Sequence, residues 1–223
     1  MIIACIAAFC AASIVHLIFC AQENNTYRKA TKPLLMPLLA LVSIAVLIQF
    51  LPESRTTLLL TVFALTFGFI GDILLINKSK TKIFIGAGSF LIGHILWAAQ
   101  YAHAYTTLPA WVFIAAVIFY AVSISLVRLI VGRPRGILCV GFIIYASLLS
   151  ILNFTGIAAL YAHRTTSALL YLIGSLFFIV SDTMLSRTLL KSKFRQSRFF
   201  IMATYITAQS LLTCGVILPY FNN

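Results

Sequence analysis

Acidic residues are almost missing from this chain of 223 residues, which has only 4 Asp and Glu against 16 Lys and Arg. Charged residues make up 9% of the sequence and hydrophobic residues 62%, and the mean hydropathy is +1.07. A soluble domain carries about a quarter charged residues and shows amphipathic periodicity, whereas long stretches here are apolar on every side. The composition therefore excludes a soluble globular domain and predicts an integral membrane protein.

The few cysteines and histidines argue against a disulfide framework or a metal site. The five cysteines are an odd number, they lie in apolar segments, and no two of them have CxxC spacing. The histidines show no His-x-x-x-His or Glu/His pairing, so we expect no metal and no other cofactor. The net charge of +12 does not indicate nucleic-acid binding, because the basic residues are spread over short loops instead of forming one tract.

Eight apolar segments are long enough to cross a bilayer, for which about 20 residues are needed. Helix is expected in all of them, because a backbone in lipid must satisfy its polar groups within the segment. The predicted spans are 2–21, 33–51, 56–76, 83–104, 109–131, 136–160, 165–186 and 197–219. They leave no room for a soluble domain, so 1–223 is predicted to be a single all-α transmembrane domain.

The distribution of basic residues predicts the orientation of the chain. Fourteen of the 16 Lys and Arg residues lie in or beside loops one, three, five and seven, and only Arg55 and Arg164 lie on the other side. Loops rich in Lys and Arg stay in the cytoplasm. Both termini are therefore predicted to be non-cytoplasmic. In a bacterium, the expected location is the plasma (inner) membrane.

A short internal similarity relates residues 67–75 to residues 177–185. Each segment has an Asp, Asp72 or Asp182, in the same register and followed by apolar residues. Spans three and seven run in the same direction, so the halves 1–108 and 109–223 would form a parallel repeat. Chance similarity stays an alternative, because the matching segments are short.

Asp72 and Asp182 are acidic residues inside predicted spans, where a charge costs about 2.5–3.5 kcal/mol, and this makes them functional candidates. Each lies five or six residues before a basic residue, so both sit at one depth, roughly 8–9 Å from the cytoplasmic edge. Two carboxyl groups in one site favour one protonated acid and one ionised base, as general acid–base catalysis requires. The residue pattern does not assign the two roles. Separate helix capping, or pairing with loop lysines, is the alternative for each.

Five further polar residues are candidates for substrate binding. His94 lies near the middle of span four, where an interior hydrogen-bonding role is the alternative. Tyr205 and Gln209 share one face of span eight, and they either bind substrate or bond to neighbouring helices. Lys32 opens span two, and it either snorkels to the surface or neutralises an acidic site or a lipid phosphate. Tyr145 reaches a depth similar to that of the carboxyl groups in span six and is a candidate hydroxyl donor.

These residues, taken in order, resemble the YhhN-like lysoplasmalogenase family of multi-pass membrane proteins. The matching motifs cover nearly the whole chain and are Lys32-Pro33, Gly71-Asp72-Ile-Leu-Leu75, Gly93-His94, Ser181-Asp182 and Tyr205-x-x-x-Gln209. The resemblance implies hydrolysis of the vinyl ether bond of lysoplasmalogens to a fatty aldehyde and a glycerophospho-base, with Asp72 and Asp182 as the catalytic pair. It leaves another lysolipid open as the substrate of a bacterial member.

Two other functions are compatible with the same sequence. Intramembrane Asp residues on repeated helices are also typical of a proton-coupled transporter. A membrane protein that binds lipid without catalysis needs neither acid. The hydrolase is the first hypothesis, because the family resemblance implies it. The chemistry fits this implication, since a vinyl ether hydrolyses through protonation on carbon and capture by water, which suits an acid and a base side by side. The expected partners are a lysolipid substrate and membrane lipids.

Overall fold

The structure is a computed structural model that describes residues 1–76, 79–131, 137–190, 192 and 194–221. This part of the chain is helical and contains no β-strand. Its α-helices are α1 (Ile2–Ala21), α2 (Asn25–Thr31), α3 (Leu35–Leu47), α4 (Arg55–Ile76), α5 (Lys80–Ala99), α6 (Ala110–Val131), α7 (Ile137–His163), α8 (Thr166–Leu190) and α9 (Ser197–Ile217). Single 3-10 segments follow α2, α3, α5 and α9, at Lys32–Leu34, Ile48–Phe50, Ala102–Thr107 and Leu218–Phe221.

Seven helical segments of the described chain are long and apolar enough to cross a membrane. Many large apolar side chains on these helices point outward, and Ile3, Ile14 and Phe63 are each more than half exposed. Such a surface is unfavourable in water and suits contact with lipid tails. The protein is therefore a multi-pass membrane protein, and its all-helical class agrees with the prediction.

The predicted fifth span, 109–131, coincides with α6, but its qualifying apolar part, Ala110–Val122, is shorter than the other seven segments. Eight spans with both termini outside therefore stay a prediction. Part of the charge pattern that supports this orientation, including Lys78, Arg133 and Lys191, lies outside the described residues.

The second span begins earlier than predicted, because α2 continues through a 3-10 turn into α3. The Asn24 side chain accepts a hydrogen bond from the Tyr27 backbone N–H at 3.4 Å and caps the start of α2. Pro33 lies in the 3-10 turn, near a helix start, where its missing N–H costs little. The Lys32 backbone N–H donates to the Arg28 carbonyl, so the helical path is unbroken up to Lys32. This path carries Lys32 into the protein, where it is only 8% exposed.

Glycines allow α4 to pack closely on α5, and α8 on α9. A Cβ atom at Gly71 would lie 2.7 Å from the Phe90 ring, and one at Gly174 would lie 2.9 Å from the Leu212 backbone nitrogen. A larger residue would therefore displace the buried Phe90 ring at Gly71 and would shift the backbone of α9 at Gly174. Gly88, by contrast, has nothing within 4 Å of such a Cβ. Asp72 directly follows Gly71, so this close contact lies next to Asp72 in the chain.

Candidate functional site

A cavity of about 110 Å³ lies where the ends of α4, α5, α8 and α9 meet the turn between α2 and α3. It has room for several water molecules or a small polar group. Loops one, three and seven belong to this end of the helices, and their charge predicts that it is cytoplasmic. The polar residues that line the cavity are Arg28, Lys32, Asp72, Ser181, Asp182, Thr188, Ser197, Arg198 and Tyr205.

Asp72 forms a buried ion pair. Lys32 Nζ lies 3.0 Å from Asp72 Oδ1, with the two side chains 9% and 2% exposed. A cation at this distance favours the ionised form of a carboxyl group. Lys32 therefore lies where it can neutralise the charge of Asp72, which is one of the roles that the sequence left open. The protein supplies no hydrogen-bond partner for Asp72 Oδ2 or for the Tyr205 hydroxyl, although Tyr205 is close enough to interact electrostatically with Asp72. The site therefore presents a carboxyl group that is paired with a cation through one oxygen and lies near the Tyr205 hydroxyl.

The groups nearest to Asp182 are a tyrosine and a histidine, and Asp72 is close enough to interact with it electrostatically. The Tyr145 hydroxyl donates a hydrogen bond of 2.5 Å to Asp182 Oδ2. His94 Nε2 is 3.8 Å from the same oxygen, which is too long for a hydrogen bond. Both ring nitrogens of His94 are buried without a partner, and its ring packs edge-on against Phe178 with centroids 4.6 Å apart. A charged imidazolium would be costly in this environment, so we treat His94 as neutral.

Gln209 connects helices and does not line the cavity. Its side-chain oxygen accepts a hydrogen bond of 3.2 Å from Trp97 Nε1, which joins α9 to α5. Tyr205, one turn earlier on the same face, does line the cavity and packs edge-on against Phe90, with centroids 5.9 Å apart. Of the predicted site residues, the structure brings Lys32, Asp72, Asp182 and Tyr205 to the cavity and places His94, Tyr145 and Gln209 behind it. Contact of these last three with substrate stays a prediction.

The sequence matches the model of the YhhN family over residues 27–216, a range that contains all the predicted site residues. The chain belongs to the YhhN family. No curated protein and no solved structure matches it.

Two arginines of this YhhN-family site are not predicted as site residues by the sequence pattern. Arg28 and Arg198 line the cavity, whereas in the sequence they count only as signals of membrane orientation. For Arg28 a signal was present, because it precedes Lys32 by four residues and so shares its helix face. Arg198 begins α9 near the end of the chain, and only the tertiary fold brings it beside Arg28.

Proposed function

We propose that this protein hydrolyses the vinyl ether bond of lysoplasmalogen-type lysolipids to a fatty aldehyde and a glycerophospho-compound. The observation that carries the proposal is that two buried carboxyl groups line one cavity, one paired with a cation and the other with neutral groups. Membership of the YhhN family, which is known generally as lysoplasmalogenase-like, supports it. The two different environments suit an acid and a base in one reaction.

Asp182 is the proposed acid. A buried carboxyl group without a cation beside it favours its neutral form, and the near neighbours of Asp182 are the Tyr145 hydroxyl and neutral His94. Tyr145 occupies Oδ2, which leaves Oδ1 to hold the proton. This proton goes to the alkenyl carbon that does not carry the ether oxygen. The positive charge is then shared between the other alkenyl carbon and that oxygen.

Asp72 is the proposed base. Its ion pair with Lys32 keeps it ionised, so it stabilises the cation and takes a proton from water, which adds to the carbon that bears the ether oxygen. As the resulting hemiacetal collapses, Asp72 returns this proton to the leaving glycerol oxygen, and the hemiacetal hydroxyl proton passes to Asp182. Both carboxyl groups regain their starting states. Assistance of this kind is worth about 10²–10⁴-fold in rate.

Deuterium from solvent tests the reaction. Purified protein in detergent, given an alkenyl lysolipid in D₂O, should release an aldehyde with one deuterium on its alpha carbon. The aldehyde is reduced to the alcohol as it forms, and unlabelled aldehyde carried through the same steps controls for exchange after release. A lysolipid that stays intact would contradict the hydrolase. Proton-coupled movement of that intact lysolipid into proteoliposomes would establish the transporter instead.

We also propose eight spans with both termini non-cytoplasmic, and the halves 1–108 and 109–223 as a parallel repeat. The position of the cavity at the end with basic loops one, three and seven supports a cytoplasmic opening. Single cysteines, introduced into a cysteine-free background, are labelled with a membrane-impermeant maleimide. Positions 78–82 should react only from the cytoplasmic side and position 223 only from the outside. Labelling of position 223 from the cytoplasm alone would overturn the topology.

A further inference from the structure

Two arginines beside the carboxyl pair have no acidic partner. Arg28 on α2 and Arg198 in the first turn of α9 line the same cavity as Asp72 and Asp182. They are close enough to each other to repel electrostatically. Neither forms an ion pair with a carboxylate in the part of the chain that the structure describes. Arg28 Nε is enclosed and finds no hydrogen-bond partner in the protein.

The acidic residues of the chain do not neutralise these arginines. Only four are present, and Asp72 is already paired with Lys32, while Asp182 is the proposed neutral acid. Glu23 is exposed and makes no ion pair, and Glu53 precedes α4 at the opposite end of the helix from the cavity. Two partly buried like charges without a counter-charge are unfavourable. The arrangement is therefore suited to an anion that comes from outside the protein.

We propose that Arg28 and Arg198 bind the phosphate of the lysolipid, and that the site prefers head groups with net negative charge over choline. This inference rests on the proposed hydrolase function. Guanidinium groups bind phosphate through two parallel hydrogen bonds. The start of α9 adds to the site, since Gln196 provides no side-chain cap while Ser197 and Arg198 line the cavity. A helix N-terminus favours an anion at such a position.

The spacing suits a glycerol unit between the phosphate and the reacting bond. Lys32 lies one helical turn from Arg28, which places their Cβ atoms about 5–6 Å apart. Because Lys32 holds Asp72, a vinyl ether at the carboxyl pair and a phosphate at Arg28 would be joined by the glycerol carbons.

A choline group attached to that phosphate would lie near the positively charged Arg28 and Arg198, without an unpaired carboxylate among the described residues that line the cavity to bind it. Recognition of a quaternary ammonium uses an aromatic cage. The aromatic residues that line the cavity, Phe90 and Tyr205, contact each other edge-on, and Phe90 packs against Gly71, directly beside Asp72. They therefore lie with the carboxyl pair and leave the arginine end of the cavity without a cage.

Three substrates with the same alkenyl chain test the preference in the wild-type protein. They carry a phosphoglycerol head group, a phosphocholine head group, or no phosphate at all. The phosphoglycerol compound should exceed the phosphocholine compound about tenfold in kcat/KM, which corresponds to about 1.4 kcal/mol. Loss of the phosphate should cost about 10- to 100-fold, because hydrogen bonds to a charged group are lost. Equal kcat/KM for the three substrates would overturn the inference.

Substitution of the arginines separates phosphate binding from a merely structural role. Arg28→Gln and Arg198→Gln should each raise KM about tenfold or more for the phosphate-bearing substrates and leave both kcat and the phosphate-free substrate nearly unchanged. The matched control is Arg55→Gln, which removes a cation at the other end of α4. Arg28→Lys and Arg198→Lys should have KM values between those of the wild type and the Gln variants for the phosphate-bearing substrates. They replace the Gln variants in this test if the Gln variants fail to fold. An equal rise in KM for the phosphate-free substrate would refute the assignment.

Binding of a saturated ether lysolipid distinguishes this inference from the hydrolase itself, because the saturated ether cannot be protonated on carbon. Tighter binding of its phosphoglycerol form than of its choline form supports the phosphate site even if no alkenyl lysolipid is hydrolysed. Hydrolysis with equal binding of both forms refutes this inference alone. Competition of inorganic phosphate with the saturated ether lysolipid for binding would support a site that binds the phosphate group. Competition only by anionic bilayer phospholipid would assign the arginines to a structural lipid and overturn substrate recognition.

Discussion

Breaking the Lys32–Asp72 ion pair from one side should destabilise the protein far more than removing both charges. The pair is 3.0 Å long, and its side chains are 9% and 2% exposed. Loss of one partner of a buried pair leaves the other charge uncompensated and costs about 3–5 kcal/mol, whereas loss of both is often nearly neutral. Asp72→Asn leaves the Lys32 ammonium unpaired, and Lys32→Met leaves the Asp72 carboxylate unpaired. The double variant leaves no unpaired charge.

The expected magnitudes have an upper limit, because an unpaired group can also lose its charge. From the reference pKa values, neutralising an Asp or a Lys at pH 7 costs about 4–5 kcal/mol. Lys32 is the more exposed partner and lies near the predicted membrane surface. Asp72→Asn should therefore lower the free energy of unfolding by about 3 kcal/mol, the low end of the expected range. Lys32→Met should lower it by an amount near the upper limit. Together with a nearly neutral double variant, these costs give a coupling energy of about 7 kcal/mol, far above the 0–1 kcal/mol of surface pairs.

The four proteins of this cycle can be compared by reversible unfolding in a denaturing detergent, with Arg55→Gln as a control for loss of a cation elsewhere. Single-variant effects that simply add, within about 0.5 kcal/mol, would show that the two groups do not interact in the folded protein. The double variant Lys32→Met/Asp72→Asn should regain stability but not hydrolysis, because the proposed base is still missing. Recovered hydrolysis would refute the role of Asp72.

Three further predictions address the acid, the helix contact and the cofactor. Asp182→Asn should reduce turnover at least about 10²-fold. The variant should keep its fold, because the Tyr145 hydroxyl can donate a hydrogen bond to the amide oxygen. Near-normal hydrolysis by the folded variant would refute the acid–base pair. Gly71→Val should lower the free energy of unfolding by about 1–3 kcal/mol or more, because the new side chain overpacks against the Phe90 ring. Gly88→Val should lower it little. Equal unfolding midpoints of the two variants would contradict the close contact of α4 with α5. Chelators should leave the rate of hydrolysis unchanged, since the described residues contain no group of three His, Cys, Asp or Glu that could hold a metal. A chelator that abolishes hydrolysis, with activity restored by added metal, would disprove this.

The helices could be predicted because a span follows from counting along one segment, and the same counting gives the predicted depth of the carboxyl groups. A run of about 20 apolar residues spans a bilayer, and the rise of 1.5 Å per residue places Asp72 and Asp182 at one level. Their presence in one cavity depends in addition on how α4 and α8 are rotated about their axes. The close contacts at Gly71 and Gly174 join α4 to α5 and α8 to α9, and the sequence shows at these positions only the absence of a side chain.

The roles of the other polar residues were harder to predict, because the side chain of a polar residue can be hydrogen-bonded or ion-paired in several ways. Gln209 was a candidate for substrate binding, yet its amide oxygen is used by Trp97. Arg28 and Arg198 looked like orientation signals, because loop arginines serve that purpose in most membrane proteins. Only the cavity that the two arginines share indicates another use.

The cavity of about 110 Å³ has a consequence for how the reaction would respond to concentration. A volume of several water molecules cannot enclose a fatty chain, so the chain of a bound lysolipid must stay among the surrounding lipid tails. The protein would then meet its substrate as a solute confined to two dimensions, and its rate would follow the mole fraction of substrate in the membrane. Dilution with inert lipid would slow the reaction even at constant bulk concentration. The products would also separate by phase, with the aldehyde left in the bilayer and the polar fragment released to water, and this separation would oppose the reverse reaction.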